Sequence, residues 1–481
     1  MNAIKAVEAL LQFGVHHGLI EHWDIVQIRN QLFDLLKLEN IETAKLPLDF
    51  EISDIPDTAT KILNAITDDY IARGHMPDDT IASRDLFEAA VMGQLTPRQS
   101  EIIARFNSYY TKSPKAATDD FYALCRAANY IQVERIKKDM YWTAKSEYGT
   151  IELTVNLSKP EKDPKDIEMA RSISSSAYPK CLLCLENVGY AGNRAWPARQ
   201  NLRVIPVRLY EGQWYFQYSP YAYYNEHCIV FAEQHNPMRV NSATFQQLID
   251  FVKQFPHYFL GSNAGLPIVG GSILSHEHFQ GGRHVFPMEK AECYQYYTHE
   301  KYRDVRVGLV KWPMSVIRLS CSLDDEDSLL NLATDILESW KGYSDGDIVA
   351  YSGGTGPSGG TGPSGGTPHN AITPIARIKD RRMEMDIALR NNRTSDERPL
   401  GIFHPHEQWH HVKKENIGLI EVMGLAVLPG RLKTEIEEGR LNRDEIARIF
   451  VNVLKDCGVF KDSAEGRKQF DLFMKGMGFK I

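Results

Sequence analysis

The stretch Gly270-Gly271-Ser272-Ile273-Leu274-Ser275-His276-Glu277-His278-Phe279-Gln280-Gly281-Gly282 decides how the rest of the chain is read. His276, His278 and Gln280 recur at a spacing of two. Side chains two apart share one face of a strand, so the spacing predicts a strand that turns all three toward one ligand. Glycines on both sides permit close backbone approach and unusual dihedrals. Gly270, Gly271 and Ser272 can aim amide N–H groups at phosphate oxygens. An imidazole on such a platform is a candidate nucleophile at phosphorus. A neighbouring amide would hydrogen-bond the non-bridging oxygens where charge develops. The competing reading is a partly exposed strand with polar residues.

Outward from this stretch, the texture alternates. Residues 1 to about 130 carry apolar residues three and four apart, as in AIKAVEALLQFGVHHGLI and DIVQIRNQLFDLLKL, and predict helices. Thr96 before Pro97 reads as a helix start. YWTAKSEYGTIELTVNLS and LRVIPVRLYEGQWYFQYSPYAYYNEHCIVFAE are β-branched and aromatic, and predict strands. NSATFQQLIDFVKQFPHYF is a helix opened by Asn241 or Ser242, followed by short strands around 266–286. DSLLNLATDILESWKGY is a second helix, and ITPIARIKDRRMEMDIALRN a strand pair. The order predicts an α+β fold that uses one unit twice, with helical extensions at both ends. SGGTGP occurs twice from Ser352 and reads as a flexible surface loop; without a Gly-Lys-Ser/Thr ending it is not a P-loop.

The chain has 481 residues and a formal charge of −7, which argues against a general nucleic-acid binder. No apolar run approaches the roughly 20 residues that span a bilayer. The first twenty residues, broken by Lys5, Glu8 and two histidines, read as an amphipathic helix and not a signal peptide. Seven scattered cysteines make a disulfide framework unattractive, so a reducing cytoplasm is expected.

Three further clusters carry chemistry. Cys181-Leu182-Leu183-Cys184 has the spacing of two thiolates on one tetrahedral ion, with His235 and His276 as candidates for the remaining positions. Its competitor is a pair of buried, inert thiols. Phe403-His-Pro-His-Glu-Gln-Trp-His-His411 holds four histidines, read as a second metal site, a phosphate-facing surface or a solvated loop. Arg194, Arg199 and Arg203, with Lys159 and Lys162, are candidate phosphate contacts. Thr367-Pro-His-Asn370 is either a substrate loop or a turn.

Several stretches together resemble the UDP-glucose–hexose-1-phosphate uridylyltransferases, specifically the class II bacterial branch within the histidine-triad superfamily. They are YPKCLLCLENVGYAGN, PARQNLRVIP, WYFQYSPYAYYNEHCIVF, GLPIVGGSILSHEHFQGG, TPHNAITPIAR and HHVKKENIGLIEVMGLAVLPGRL. The better-described class I branch is a duplicated histidine-triad fold with the motif His-Pro-His-x-Gln. The resemblance implies His278 as the nucleophile and Gln280 as its phosphoryl partner, although Glu277 stands where that motif has proline. It implies a structural zinc or iron on Cys181, Cys184, His235 and His276. His404 and His406 have the spacing of a second class I metal pair. Asn263 resembles a family asparagine near the nucleotide, and Gly270, Gly271, Ser272, Arg199 and Asn370 complete the expected substrate contacts. The implied divisions are a helical region 1–135, a first histidine-triad-like unit 136–345, a second 346–435 and a helical region 436–481. The implied reaction exchanges UMP between UDP-glucose and galactose-1-phosphate through a covalent uridylyl-histidine. No redox cofactor, nucleic acid or membrane takes part, and a homodimer is the candidate assembly. The alternatives are a dinucleoside-polyphosphate phosphorylase of the same superfamily and a metal-stabilised nucleotide-binding protein.

Overall fold

The computed structural model describes residues 2–38, 55–158, 178–352 and 367–481. Lys159, Lys162 and the SGGTGP repeats, Ser352 apart, lie outside the described residues. Contacts divide the chain into two units. One comprises Met1–Lys138, Leu157–Pro206 and Tyr215–Ala222; the other comprises Asp139–Asn156, Val207–Trp214 and Tyr223–Ile481. Among the described residues, no helix is long and apolar enough to cross a membrane.

The first unit holds α1 (Ala3–His16), α2 (Ile25–Leu35), α3 (Thr60–Ala72), α4 (Ile81–Leu95), α5 (Gln99–Tyr110) and α6 (Pro114–Ala127). Asn2, Thr80 and Ser113 cap α1, α4 and α6 by accepting a backbone N–H three residues on. Inside the helical layer the Glu8 carboxylate takes two bonds from Arg29, at 2.6 and 2.8 Å. Thr96 closes α4 instead of opening the next helix. The residue before a proline is pushed to extended backbone, and Thr96 sits at ψ 121. Its hydroxyl donates back to the Met92 carbonyl at 2.7 Å, and α5 starts only at Gln99. The segment carrying Cys181 and Cys184 joins this helical unit and not the first sheet repeat. Asn201 and Arg203 hold it there by donating to the Ala128, Thr96 and Pro97 carbonyls.

The strands are β1 (Met140–Ser146), β2 (Gly149–Val155), β3 (Ile205–Leu209), β4 (Gly212–Tyr218), β5 (Cys228–Ala232), β6 (Phe259–Gly261), β7 (His278–Gly282), β8 (Cys293–Tyr297), β9 (Arg306–Val310), β10 (Val316–Ser322), β11 (Tyr351–Ser352), β12 (Thr367–Pro368), β13 (Asn370–Lys379), β14 (Arg382–Asn391) and β15 (Leu425–Leu428). Ten form one sheet in the order β3-β4-β5-β7-β6-β13-β14-β10-β9-β8. Read from each outer edge inward, the order is the same: first, second, third, fifth, fourth. In both halves a helix follows the third strand, Ser242–Gln254 after β5 and Glu326–Gly342 after β10. The fold is thus α+β with one five-strand unit used twice. The halves join through their fourth strands, with Leu260 opposite Ala376 at the middle of the antiparallel β6–β13 ladder. The second repeat begins at β8 and not near residue 346. In chain order β8, β9 and β10 precede its helix, as β3, β4 and β5 precede theirs.

The β13–β14 hairpin turns at Asp380–Arg381, both left-handed at φ 49 and 60, the pattern of a tight hairpin turn. β15 leaves the large sheet and pairs with β2 in a three-stranded sheet with β1. The chain ends in the helices Arg443–Cys457 and Ala464–Gly476.

The second repeat is held by buried charge. Asp386, with no exposed surface, accepts two bonds from Arg318 at 2.7 and 2.9 Å and one from Arg377 at 2.9 Å. Burial alone would raise its pKa, but the two guanidinium groups overcome that and hold it down at about 2. A depressed carboxylate adds stability above its unfolded pKa and loses it as pH falls through the folded one. Asp386→Asn is therefore expected to cost about 3–5 kcal/mol, because Arg318 loses its counter-charge and the buried Arg377 one of its own. Denaturant titrations of wild type and variant at several pH values check this. The gap should narrow between pH 4 and 2.

Candidate active site

β7 places His278 and Gln280 on one face, as the spacing predicts. His278 lies opposite Phe231 on β5, and Gln280 lies opposite Ile229 on β5 and Gly261 on β6. The His278 imidazole is buried at 2% exposure, and its Nδ1–H donates to the His276 carbonyl at 2.8 Å. A carbonyl can only accept, so the proton sits on Nδ1 and the lone pair on Nε2. Burial pushes the ring down to about 4, against the smaller opposing pull of that hydrogen bond. The geometry presents a neutral ring with its proton on Nδ1 and its lone pair on Nε2.

His276 departs from the expectation of three side chains on one face. It precedes the strand in a turn, its N–H donating to the Ile273 carbonyl at 3.1 Å. Its ring Nε2–H donates to the Ala232 carbonyl at 2.8 Å, and the ring lies 4.9 Å from that of His235. The turn carries backbone strain. Ile273, β-branched, holds φ 56, a conformation that costs on the order of 1–3 kcal/mol and marks functional loops. Gly270 and Gly271 hold φ 84 and 105, and a Cβ on Gly270 would meet the Ile417 carbonyl oxygen at 2.4 Å. Only glycine fits there. Asn263 underlies the same loop, buried, with its Oδ1 accepting from the Leu419 N–H at 3.0 Å. Ser272 is exposed.

Gln280 has a partner that the motif does not contain. His227, in the Tyr-Asn-Glu-His segment before β5, bonds the Gln280 Oε1 through Nε2 at 3.2 Å. The Tyr223 and Tyr224 rings flank this imidazole, and Tyr224 donates to the Gly281 carbonyl. The neighbouring Glu226 carboxylate is buried between the Tyr258 hydroxyl and Arg283. The only prior signal for His227 was its place in an aromatic-rich strand segment.

The second repeat lacks this equipment. With the Leu260–Ala376 pair as the dyad, the strand registers match Gln280 to Glu384 and His278 to Arg382. Arg382 donates to Ser320, and Glu384 pairs with Arg377. A guanidinium offers no lone pair for attack.

In the helical unit, the Cys181 and Cys184 Sγ atoms lie 3.6 Å apart. That is far beyond a disulfide, and it matches the edge of about 3.8 Å that zinc–sulfur bonds of about 2.3 Å give a tetrahedron. Asn187 pins the turn by donating to both cysteine carbonyls at 2.8 Å. By donor type, Cys181, Cys184, His235 and His276 are a cysteine–histidine set that could bind a metal ion. His404 and His406 do not form another. The His404 ring faces the Pro405 carbonyl and Asn416, and the His406 ring lies between Arg398 and Asp456.

Of the remaining expected contacts, Arg199 lines a cavity of about 520 Å3 with Tyr130, Trp196 and Tyr221. Among the described residues its buried Nε has no partner. Arg203 is buried and committed to four backbone carbonyls, so it is structural. Arg194 pairs with Asp78. Asn370 is corrected as a substrate contact. Its Nδ2 donates to the Trp340 and Tyr343 carbonyls and its Oδ1 accepts from Asn391, which leaves the amide bound into the second repeat.

The galactose-1-phosphate uridyl transferase N-terminal domain model matches residues 18–237, and the C-terminal domain model matches residues 251–449. The galactose-1-phosphate uridylyltransferase of Caldanaerobacter subterraneus subsp. tengcongensis is 50% identical over 98% of this chain and 98% of its own. That of Bacillus subtilis is 43% identical over 100% of this chain and 99% of its own. Among solved structures, the yeast Ap4A phosphorylase Apa2 aligns at 10% identity with a TM-score of 0.41, over 75% of this chain and 98% of its own. Matched by both domain models and similar from end to end to these relatives, the chain belongs to the galactose-1-phosphate uridylyltransferase family.

Proposed function

We propose that the chain exchanges UMP between UDP-glucose and galactose-1-phosphate through a uridylyl group carried on His278 Nε2. The carrying observation is the Nδ1–H bond from His278 to the His276 carbonyl, which turns the lone pair of Nε2 to the reaction. Nε2 attacks the α-phosphorus, and the bond to the bridging oxygen breaks. Glucose-1-phosphate leaves with that electron pair. The galactose-1-phosphate oxygen then attacks the same phosphorus, the P–N bond breaks, and UDP-galactose leaves. While Nε2 is bonded to phosphorus the ring is cationic, and its Nδ1–H bond strengthens. The stabilisation is greatest as charge develops, which is what lowers a barrier. Gln280 donates to a non-bridging oxygen, and the amides of Gly270, Gly271 and Ser272 share that charge. Asn263 supports their loop, and Arg199 offers a cation to substrate phosphate.

On this reading Cys181, Cys184, His235 and His276 hold one structural zinc or iron, which anchors the residue whose carbonyl orients the nucleophile. The substrates are soluble sugar phosphates, and the compartment is the cytoplasm.

Labelled glucose-1-phosphate is expected to exchange into UDP-glucose with no galactose-1-phosphate present. His278→Ala should reduce that exchange by more than about a thousandfold, as loss of a nucleophile does. Exchange persisting in His278→Ala would move the nucleophile elsewhere. Its absence from active wild type would end the covalent route.

Replacing Cys181 and Cys184 together by serine is expected to remove bound zinc or iron, read by elemental analysis, and to lower the melting temperature by several degrees, since metal binding is folding free energy. Unchanged metal content would abolish the site.

A further inference from the structure

We propose that His227 is a positioning residue that sets which end of the Gln280 amide faces the transferred phosphoryl group. The assignment rests on Gln280 being the phosphoryl partner.

An amide can turn over, and its two ends have opposite effects at phosphorus. The NH2 end donates to a non-bridging oxygen; the carbonyl end repels it. What decides the matter is the far side of His227. The imidazole is buried at 4% exposure, and burial lowers its pKa to about 4, so the ring is neutral and carries one proton. Its Nε2 faces Gln280 at 3.2 Å, while among the described residues its Nδ1 is buried with no hydrogen-bond partner. A proton on Nδ1 would make an orphaned buried N–H, the rarer and more costly kind of unsatisfied group. The proton therefore sits on Nε2, which must donate, and only the Oε1 of Gln280 can accept. The amide NH2 is then directed away from His227. The Tyr223 and Tyr224 rings, with centroids 5.4 and 4.6 Å from that of His227, hold the imidazole in this plane. In the second repeat the matching pair is Arg318 and Glu384, charged residues within an ion network.

Steady-state kinetics of the full chain with UDP-glucose and galactose-1-phosphate test this with four variants. Gln280→Met is expected to lower kcat by about a hundredfold or more, as removal of one oxyanion donor does. His227→Phe should lower kcat at least tenfold with KM within about threefold and the melting temperature close to wild type. His227→Gln supplies an amide N–H to the same acceptor and should recover most of the loss. In the Gln280→Met background His227→Phe should cost less than about twofold more, because a residue acting only through another shows no separate effect. Wild-type kcat in His227→Phe, alongside a slow Gln280→Met, overturns the positioning role alone. So does a full additional loss in the double variant. Wild-type kcat in Gln280→Met instead overturns the role of Gln280 on which this one stands.

Discussion

The hydrogen bond from His278 Nδ1–H to the carbonyl two residues back is the constraint around which the rest is arranged. A strand cannot make it, because successive carbonyls in a ladder point sideways to neighbouring strands. The chain must therefore leave the ladder at His276 and enter it at His278. The departure is built from a strained turn at Ile273, two left-handed glycines above Asn263, and a ring bond from His276 to Ala232. Each of these is costly or sterically particular alone. Together they fix one tautomer of one imidazole.

The same burial that makes the site polar-poor makes its few polar groups decisive. His227 and His278 are both pushed below their ordinary range by loss of water, so each acts as a neutral ring with one donor and one lone pair. For His278 the carbonyl of His276 chooses the proton's position. For His227 the empty side of the ring chooses it. A hydrogen bond is modest in net energy, but the cost of leaving a buried donor unmade is what selects between alternatives.

The two repeats show one backbone supporting two uses. In the first, the fifth strand starts with a buried imidazole and carries an amide two residues on. In the second, the same register holds Arg382 and Glu384, and the strand beside it carries Arg318 bonded to Asp386. The second repeat carries an ion network where the first carries a neutral imidazole and an amide.

Much was legible in the chain itself. The helices before residue 130 depend on apolar spacing within a few residues, so local sequence determined them, although Thr96 closes one where it was read as opening the next. The strand pair at 372–391, the shared face of His278 and Gln280, and the metal-ligand spacing of Cys181 and Cys184 were equally local. The duplication was legible as a pattern, but its boundaries were not, because a strand's repeat membership depends on partners far along the chain, as Val316 on β10 pairs with Ala388 on β14. His276 was misplaced on the strand, since a turn and a strand share the same residues until the Ala232 carbonyl claims its ring. Asn370 looked like a substrate contact until the Trp340 and Tyr343 carbonyls took its amide. His227 stood 53 residues before Gln280 and became meaningful only when β5 and β7 paired. Periodicity and capping act over a few residues and are written in order along the chain. Which buried polar atoms find partners depends on strands closing across it, so only the tertiary structure could decide that.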